Sequence, residues 1–111
     1  MLKTRDDAIK LCSEFEDVYE DYPFADKKST AMRHKTNKKI FALIFERFGN
    51  VWINVKCRPD DAPYLRQMFP SVIPAYHMNK NHWNSIIVDG TIDCAAIYEM
   101  IKQSYFLTKQ L

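Results

Sequence analysis

The stretch Val51-Trp52-Ile53-Asn54-Val55-Lys56-Cys57 decides the fold class of this chain. Val51, Ile53 and Val55 alternate with Trp52, Asn54 and Lys56, the pattern of a strand that buries one face and turns the other to water. Immediately upstream, Lys39 to Arg47 is apolar on both faces, as a central strand is, and Thr30 to His34 precedes it. The links Lys35-Thr36-Asn37-Lys38 and Phe48-Gly49-Asn50 both carry the residue types of hairpin turns. Three consecutive antiparallel strands therefore form the centre of the molecule.

Outward from that centre the period changes to that of a helix. On the N-terminal side Ile9, Cys12, Phe15, Val18, Tyr19 and Tyr22 recur at helical spacing, which predicts a first helix from Thr4 to Glu20, stopped before Pro23. Thr4 is its N-cap, and Asp6 and Asp7 favour the positive end of its dipole. On the C-terminal side Pro59 to Phe69 reads as a short helix with Ala62, Leu65, Met68 and Phe69 inward. Val72 to Met78 and Trp83 to Asp89 read as strands. A last helix, capped by Thr91 or Asp93, buries Ile97, Met100, Ile101, Tyr105 and Leu107. The order is α-β-β-β-α-β-β-α: an α+β, two-layer domain with a single antiparallel sheet, helices on one side and the other side facing solvent.

The 111 residues, 47% of them hydrophobic, suit one domain with one core over the whole chain, 1–111. The longest apolar run, Ile40 to Phe45, falls far short of the roughly 20 residues that cross a bilayer. The opening residues lack a secretory apolar region, and Cys12, Cys57 and Cys94 are odd in number and widely spaced, so reduced thiols and a cytoplasmic location are expected. Charge is unevenly placed. Residues 1–26 hold three basic and eight acidic side chains, residues 27–58 nine and one, and residues 59–111 four and five. The central cationic block can attract a polyanion or simply keep exposed strands apart.

Ala75-Tyr76-His77-Met78-Asn79-Lys80-Asn81-His82-Trp83-Asn84 concentrates rings, imidazoles, amides and a cation between two apolar runs, as a turn that presents them would. Together with Lys56-Cys57-Arg58-Pro59-Asp60 and Ser104-Tyr105, this string resembles the MmcQ/YjbR family over nearly the whole chain. The resemblance implies a secretion-chaperone-like fold of the order read above, and a DNA-binding, double-wing label.

The residues themselves permit several chemistries. Lys35, Lys38, Lys39, Lys56, Arg58, Asn79, Lys80, His82 and Trp83 form the candidate nucleic-acid-binding set, its cations along one side or rim of the sheet with Trp52 interleaved: cations neutralise phosphates and rings stack on bases. Against this, Trp83 is a good half-buried packing residue, and Asn79 and Asn84 are more simply read as amides that pin their own turn. His77 and His82 lie too far from further ligands for a metal site, and one satisfied and one exposed imidazole is the simpler reading. Cys57 between Lys56 and Arg58 has cationic neighbours that would activate a thiol, yet alternation places it inside, where it acts as a small hydrophobe. No acid/base pair is visible, and Ser104 reads as a hydroxyl bonding back along its helix. No catalytic residue, metal or cofactor is expected. The function that results is a non-enzymatic, monomeric binding domain that engages DNA through a basic sheet face and the Asn79 to Trp83 turn. The alternative is a chaperone-like protein-interaction module using the same open face, and a small-ligand pocket lined by the His77/His82 turn is the remaining possibility.

Overall fold

A computed structural model of the chain describes residues 2–109. Helix α1 spans Arg5–Cys12 and opens on a complete capping box, in which the Thr4 hydroxyl accepts from the Asp7 N–H and the Asp7 carboxylate accepts from the Thr4 N–H. It ends eight residues before the expected Glu20. The Ser13 hydroxyl and N–H both take the Ile9 carbonyl, and Asp17 turns left-handed at φ 56°. Val18–Asp21 then forms strand β1 against Thr30–His34, strand β2. The spacing of Val18 and Tyr19 fitted a helical stripe equally well, and β-branched and aromatic residues beside an open sheet edge resolve it as strand.

Strand β3 (Ile40–Arg47), β4 (Asn50–Lys56), β5 (Val72–Pro74) and β6 (Trp83–Val88) complete a six-stranded antiparallel sheet of order β1-β2-β3-β4-β6-β5. Helices α2 (Asp61–Met68) and α3 (Cys94–Lys109) supply the rest of the helical layer. The molecule is a two-layer α+β domain in the order read from the sequence, with β1 added at one edge. β5 is shorter than the Val72 to Met78 expected. Its pairing stops at Pro74, and His77 at φ 66° belongs to a loop that leaves the ladder.

Ala42, Ile44, Val51, Ile53, Val55 and Ile86 meet Ala8, Ile9 and Cys12 of α1 and Ile97, Met100, Ile101 and Tyr105 of α3 in one core, with Leu65 of α2 and its C-cap Phe69 at the margin. Each large side chain so buried contributes about 2 kcal/mol. The Cys12 thiol, enclosed there, is pushed up to about 12 by burial. The inner stripe of α3 includes Ser104 and Thr108, both buried, whereas Leu107 is only half-buried. Among the described residues no helix is long and apolar enough to cross a membrane.

Ser104 does more than bond along its own helix. Phe41 and Lys56 stand one position beyond the paired couple Ala42 and Val55. The Ser104 hydroxyl fills the gap between them, donating to the Phe41 carbonyl at 2.6 Å and accepting from the Lys56 N–H at 2.8 Å. It replaces a rung of the ladder and ties α3 to the end of the sheet.

The second face of the sheet is not open to water as expected. Leu43 and Trp52 are 8% and 5% exposed, and Asn54 and Ser85 are fully enclosed. Residues 75–78 fold over it: the Tyr76 N–H donates to Ser85 Oγ at 3.0 Å, Asn54 Nδ2 donates to the Tyr76 carbonyl at 2.9 Å, and Ser85 Oγ donates to Asn54 Oδ1. The Tyr76 ring lies 6.0 Å from that of Phe45 and 6.2 Å from that of Trp52.

Replacing Ser104 with alanine strands a buried carbonyl and a buried N–H at once, and should lower unfolding stability by about 3 kcal/mol. Urea denaturation of Ser104→Ala measures this directly, and a loss under about 1 kcal/mol would show that the ladder closes without the hydroxyl.

Candidate nucleic-acid interface

Antiparallel pairing decides where the cations go. Arg33 faces Ile40 across the β2–β3 turn, Ala42 faces Val55, and Lys56 faces Trp83. The turn at residues 35–39, the end of β4 and the residues leading into β6 therefore share one end of the sheet. With strands about 4.8 Å apart, the span from β2 to β6 is about 15 Å. Lys35, Lys38, Lys39, Lys56, Arg58, Lys80 and His82 line this rim, all exposed except the half-buried Lys56. Of the two placements the sequence left open, a sheet face and a rim, the cations take the strand-end rim, because the face itself is filled with apolar side chains and covered. None of these lysines or Arg58 is ion-paired among the described residues, where the salt bridge formed is Arg33 Nε to Asp21 Oδ2 at 2.8 Å. Asp17 at the β1 end and Asp60 and Asp61 at the start of α2 bound the cationic stretch on either side.

The 35–39 turn is anchored on α3. Lys38, at φ 63°, donates its N–H to the His34 carbonyl, and the Asn37 side chain accepts from the Lys39 N–H and donates to the Thr108 carbonyl at 3.0 Å. His34 is buried between Phe41 and Tyr105, with Nε2 at 2.7 Å from Thr108 Oγ1. The Thr108 hydroxyl donates to the Ser104 carbonyl at 2.7 Å, so it accepts from a His34 ring protonated on Nε2. Burial, reinforced by the Lys109 charge, holds the His34 pKa below its ordinary value of 6.5.

At the other end of the rim the 79–83 turn is held by a residue the sequence did not single out. Arg66 of α2 donates from Nε to Asn84 Oδ1 at 2.6 Å and from Nη2 to the carbonyls of Lys80 and Trp83. Its signal was faint: it is the one cation in a short helix otherwise read only for its apolar stripe. Asn84 is fully buried and donates in turn to the Ala62 carbonyl at 3.4 Å, so it fastens α2 to β6 as well as pinning the turn. Asn79 accepts from the Asn81 N–H at 2.9 Å, as a turn-pinning amide does. Trp83 is half-buried at this rim, but Trp52 is not part of it. Trp52 sits under the second face and gives its N–H to the Arg47 carbonyl at 3.1 Å.

The imidazoles do not converge. His77 lies against Tyr76, ring centres 3.8 Å apart and tilted by 47°, beside a cleft on the second face, whereas His82 borders a shallow groove with Pro59, Pro63 and Arg66. The two thus border different concavities and not the one pocket that the sequence allowed. Cys57 is 3% exposed and burial raises its thiol pKa, which keeps it protonated at neutral pH.

Residues 13–107 match the family model described as YjbR. The chain is 36% identical over 117 residues to the uncharacterised protein YyaQ of Bacillus subtilis, covering 96% of this chain and 98% of that one. It is 32% identical to YjbR of Escherichia coli K12 over 68% of this chain and 64% of that protein. Among solved structures, the Deinococcus radiodurans protein DR2400 superposes with a TM-score of 0.86 at 29% identity, covering 97% of this chain and 80% of that one. A Pseudomonas syringae protein does so at 0.85 and 29%, covering 95% and 98%.

Two measurements test how the rim is held. Arg66→Met removes charged hydrogen bonds to a buried amide and to the turn, and should cost about 2 kcal/mol and speed amide exchange at Lys80 to Trp83; unchanged exchange would free the turn from Arg66. His34 binds its proton more weakly folded than unfolded, so between its depressed pKa and 6.5 the unfolded chain holds more protons and stability falls as pH falls. The urea midpoint should drop as pH is lowered from neutrality through 6.5 and flatten in His34→Gln. An identical slope in the variant would assign the loss to other groups.

Proposed function

The chain belongs to the YjbR family, and from that premise we propose that it is a non-enzymatic binding domain that engages nucleic acid, DNA in the first instance, along the strand-end rim. The observation that carries this reading is the gathering of Lys35, Lys38, Lys39, Lys56, Arg58 and Lys80 at one end of one sheet, with no carboxylate paired to them among the described residues. A rim about 15 Å long matches about four phosphates of one strand counted along a duplex axis, at roughly 3.4 Å each. Backbone recognition of this kind is tolerant of sequence, and Trp83 with His82 at one end of the rim adds a surface for stacking. Both turns that carry the cations are fixed from beneath, by Thr108 and by Arg66, so they lose little freedom on binding.

The protein-interaction alternative is the weaker reading, because the sheet face it relies on is occupied by residues 75–78 and by the apolar side chains beneath them. Free Cys12, Cys57 and Cys94 suit a reducing compartment, and we place the protein in the cytoplasm, acting as a monomer.

Fluorescence anisotropy with labelled duplex and single-stranded DNA tests the proposal. Four neutralised phosphates imply that affinity falls about 100-fold between roughly 50 and 200 mM salt. The triple variant Lys38→Glu, Lys39→Glu, Lys80→Glu should weaken binding at least about ten-fold while its melting temperature stays close to that of the parent. Absence of binding at low salt would refute the proposal, and equal binding by the triple variant would remove the site from the rim.

A further inference from the structure

We propose that the cleft on the second face of the sheet is a binding site for one planar heteroaromatic ring of nucleobase size. The cleft encloses about 570 Å³, within the range of roughly 300–1,000 Å³ that takes small ligands. Its lining includes Leu43, the rings of Phe24, Phe45 and Tyr76, and the polar Ser29 and His77.

The walls are built in advance. Asn54 and Ser85 are polar residues with no exposed surface at the middle of the sheet, and their hydrogen bonds go to each other and to the backbone of Tyr76. A sheet centre filled with apolar side chains would be simpler to stabilise, so the polar pair is explained by the precise placing of the Tyr76 ring. Two loops that contribute to the lining each contain a non-glycine residue in the left-handed region, Lys27 at φ 56° and His77 at φ 66°. Such conformations persist where surrounding structure enforces them, and ligand clamps are one such place.

The chemistry of the walls selects the occupant. Three rings and an aliphatic side chain in the lining suit a flat π-system; Phe24 is 50% exposed, and the Tyr76 ring is backed by the Arg47 guanidinium at 4.1 Å. Asp26, Lys28, Ser29 and His77 supply donors and acceptors of both kinds around the edge, which matches the mixed polar edge of a nucleobase better than a purely apolar or singly charged ligand. The ring can come from a free nucleoside or from a base of a bound strand. The site is separate from the rim, and its existence does not rest on the rim's function.

Amide spectra of the full-length protein, recorded while it is titrated with adenosine, guanosine, cytidine and thymidine and, separately, with a short mixed-sequence DNA single strand, distinguish these cases. Saturable shifts at Leu43, Phe45, Tyr76 and His77 with at least one nucleoside assign the cleft to free ligands. The same shifts with the strand alone assign it to a base within a chain. Phe24→Ala, which removes a half-exposed ring and spares the core, should weaken either binding about five-fold or more. Shifts restricted to the rim, unperturbed cleft amides at millimolar nucleoside and saturating strand, or equal affinity in Phe24→Ala would each overturn the site. Rim shifts without cleft shifts would leave the rim proposal standing, and cleft shifts from a nucleoside with a strand that binds nowhere would do the reverse.

Discussion

The architecture depends on two hydroxyls that α3 inserts beneath one end of the sheet. Ser104 completes the ladder between Phe41 and Lys56, and Thr108 receives the buried His34 ring and, through its carbonyl, the Asn37 side chain. Both lie on the same helical face as Ile97, Met100, Ile101 and Tyr105, so the apolar packing of α3 is what delivers them. Tyr105 adds its own hydroxyl to the Glu16 carbonyl at 2.7 Å, which locates the start of β1 at the same end. An unsatisfied buried polar group costs about as much as a lost hydrogen bond. Strand ends, turn and helix are therefore coupled: none can shift without exposing the others' partners.

That coupling explains which parts of the fold were legible in the sequence. Alternation in Val51 to Lys56 and the two-sided apolar run of β3 marked a central sheet, because side-chain period follows directly from strand geometry. Thr4 and Asp93 behaved as helix caps, Asp93 accepting from the Ala96 N–H at 2.8 Å. The end of α1 was not legible, since Val18 and Tyr19 satisfy both periods and the choice between them is made by their strand partners, His34 and Arg33. The bridging role of Ser104 was equally hidden: spacing shows that a serine lies on the inner face of a helix, but not that a rung is missing from the sheet opposite it.

The candidate site divides along the same line. That the lysines of the β2–β3 turn, the end of β4 and the approach to β6 share one end follows from antiparallel order, and it could be anticipated from the sequence. The choice between a rim and a face was left open by the sequence, because Trp52 and Asn54 look like water-facing residues until Tyr76 is seen folded over them. Arg66 escaped notice for a related reason. A lone cation on a short helix reads as solvated, and its value here lies in reaching carbonyls and an amide donated by a different element.

Charge placement gives the rim a direction. Asp17, Glu20 and Asp21 belong to β1 or its approach, at one edge of the sheet, and Asp21 is engaged by Arg33. Carboxylates gather at the β1 edge, and the cationic run extends toward β4 and β6, where Lys56, Arg58 and Lys80 follow Lys38 and Lys39. Beyond them, Asp60 and Asp61 stand at the start of α2. Those carboxylates stand at the positive end of an eight-residue helix, so their field is partly offset by the helix dipole, and the repulsion they add is smaller than their number implies. The cationic stretch is thus bounded more firmly at the β1 side than at the α2 side.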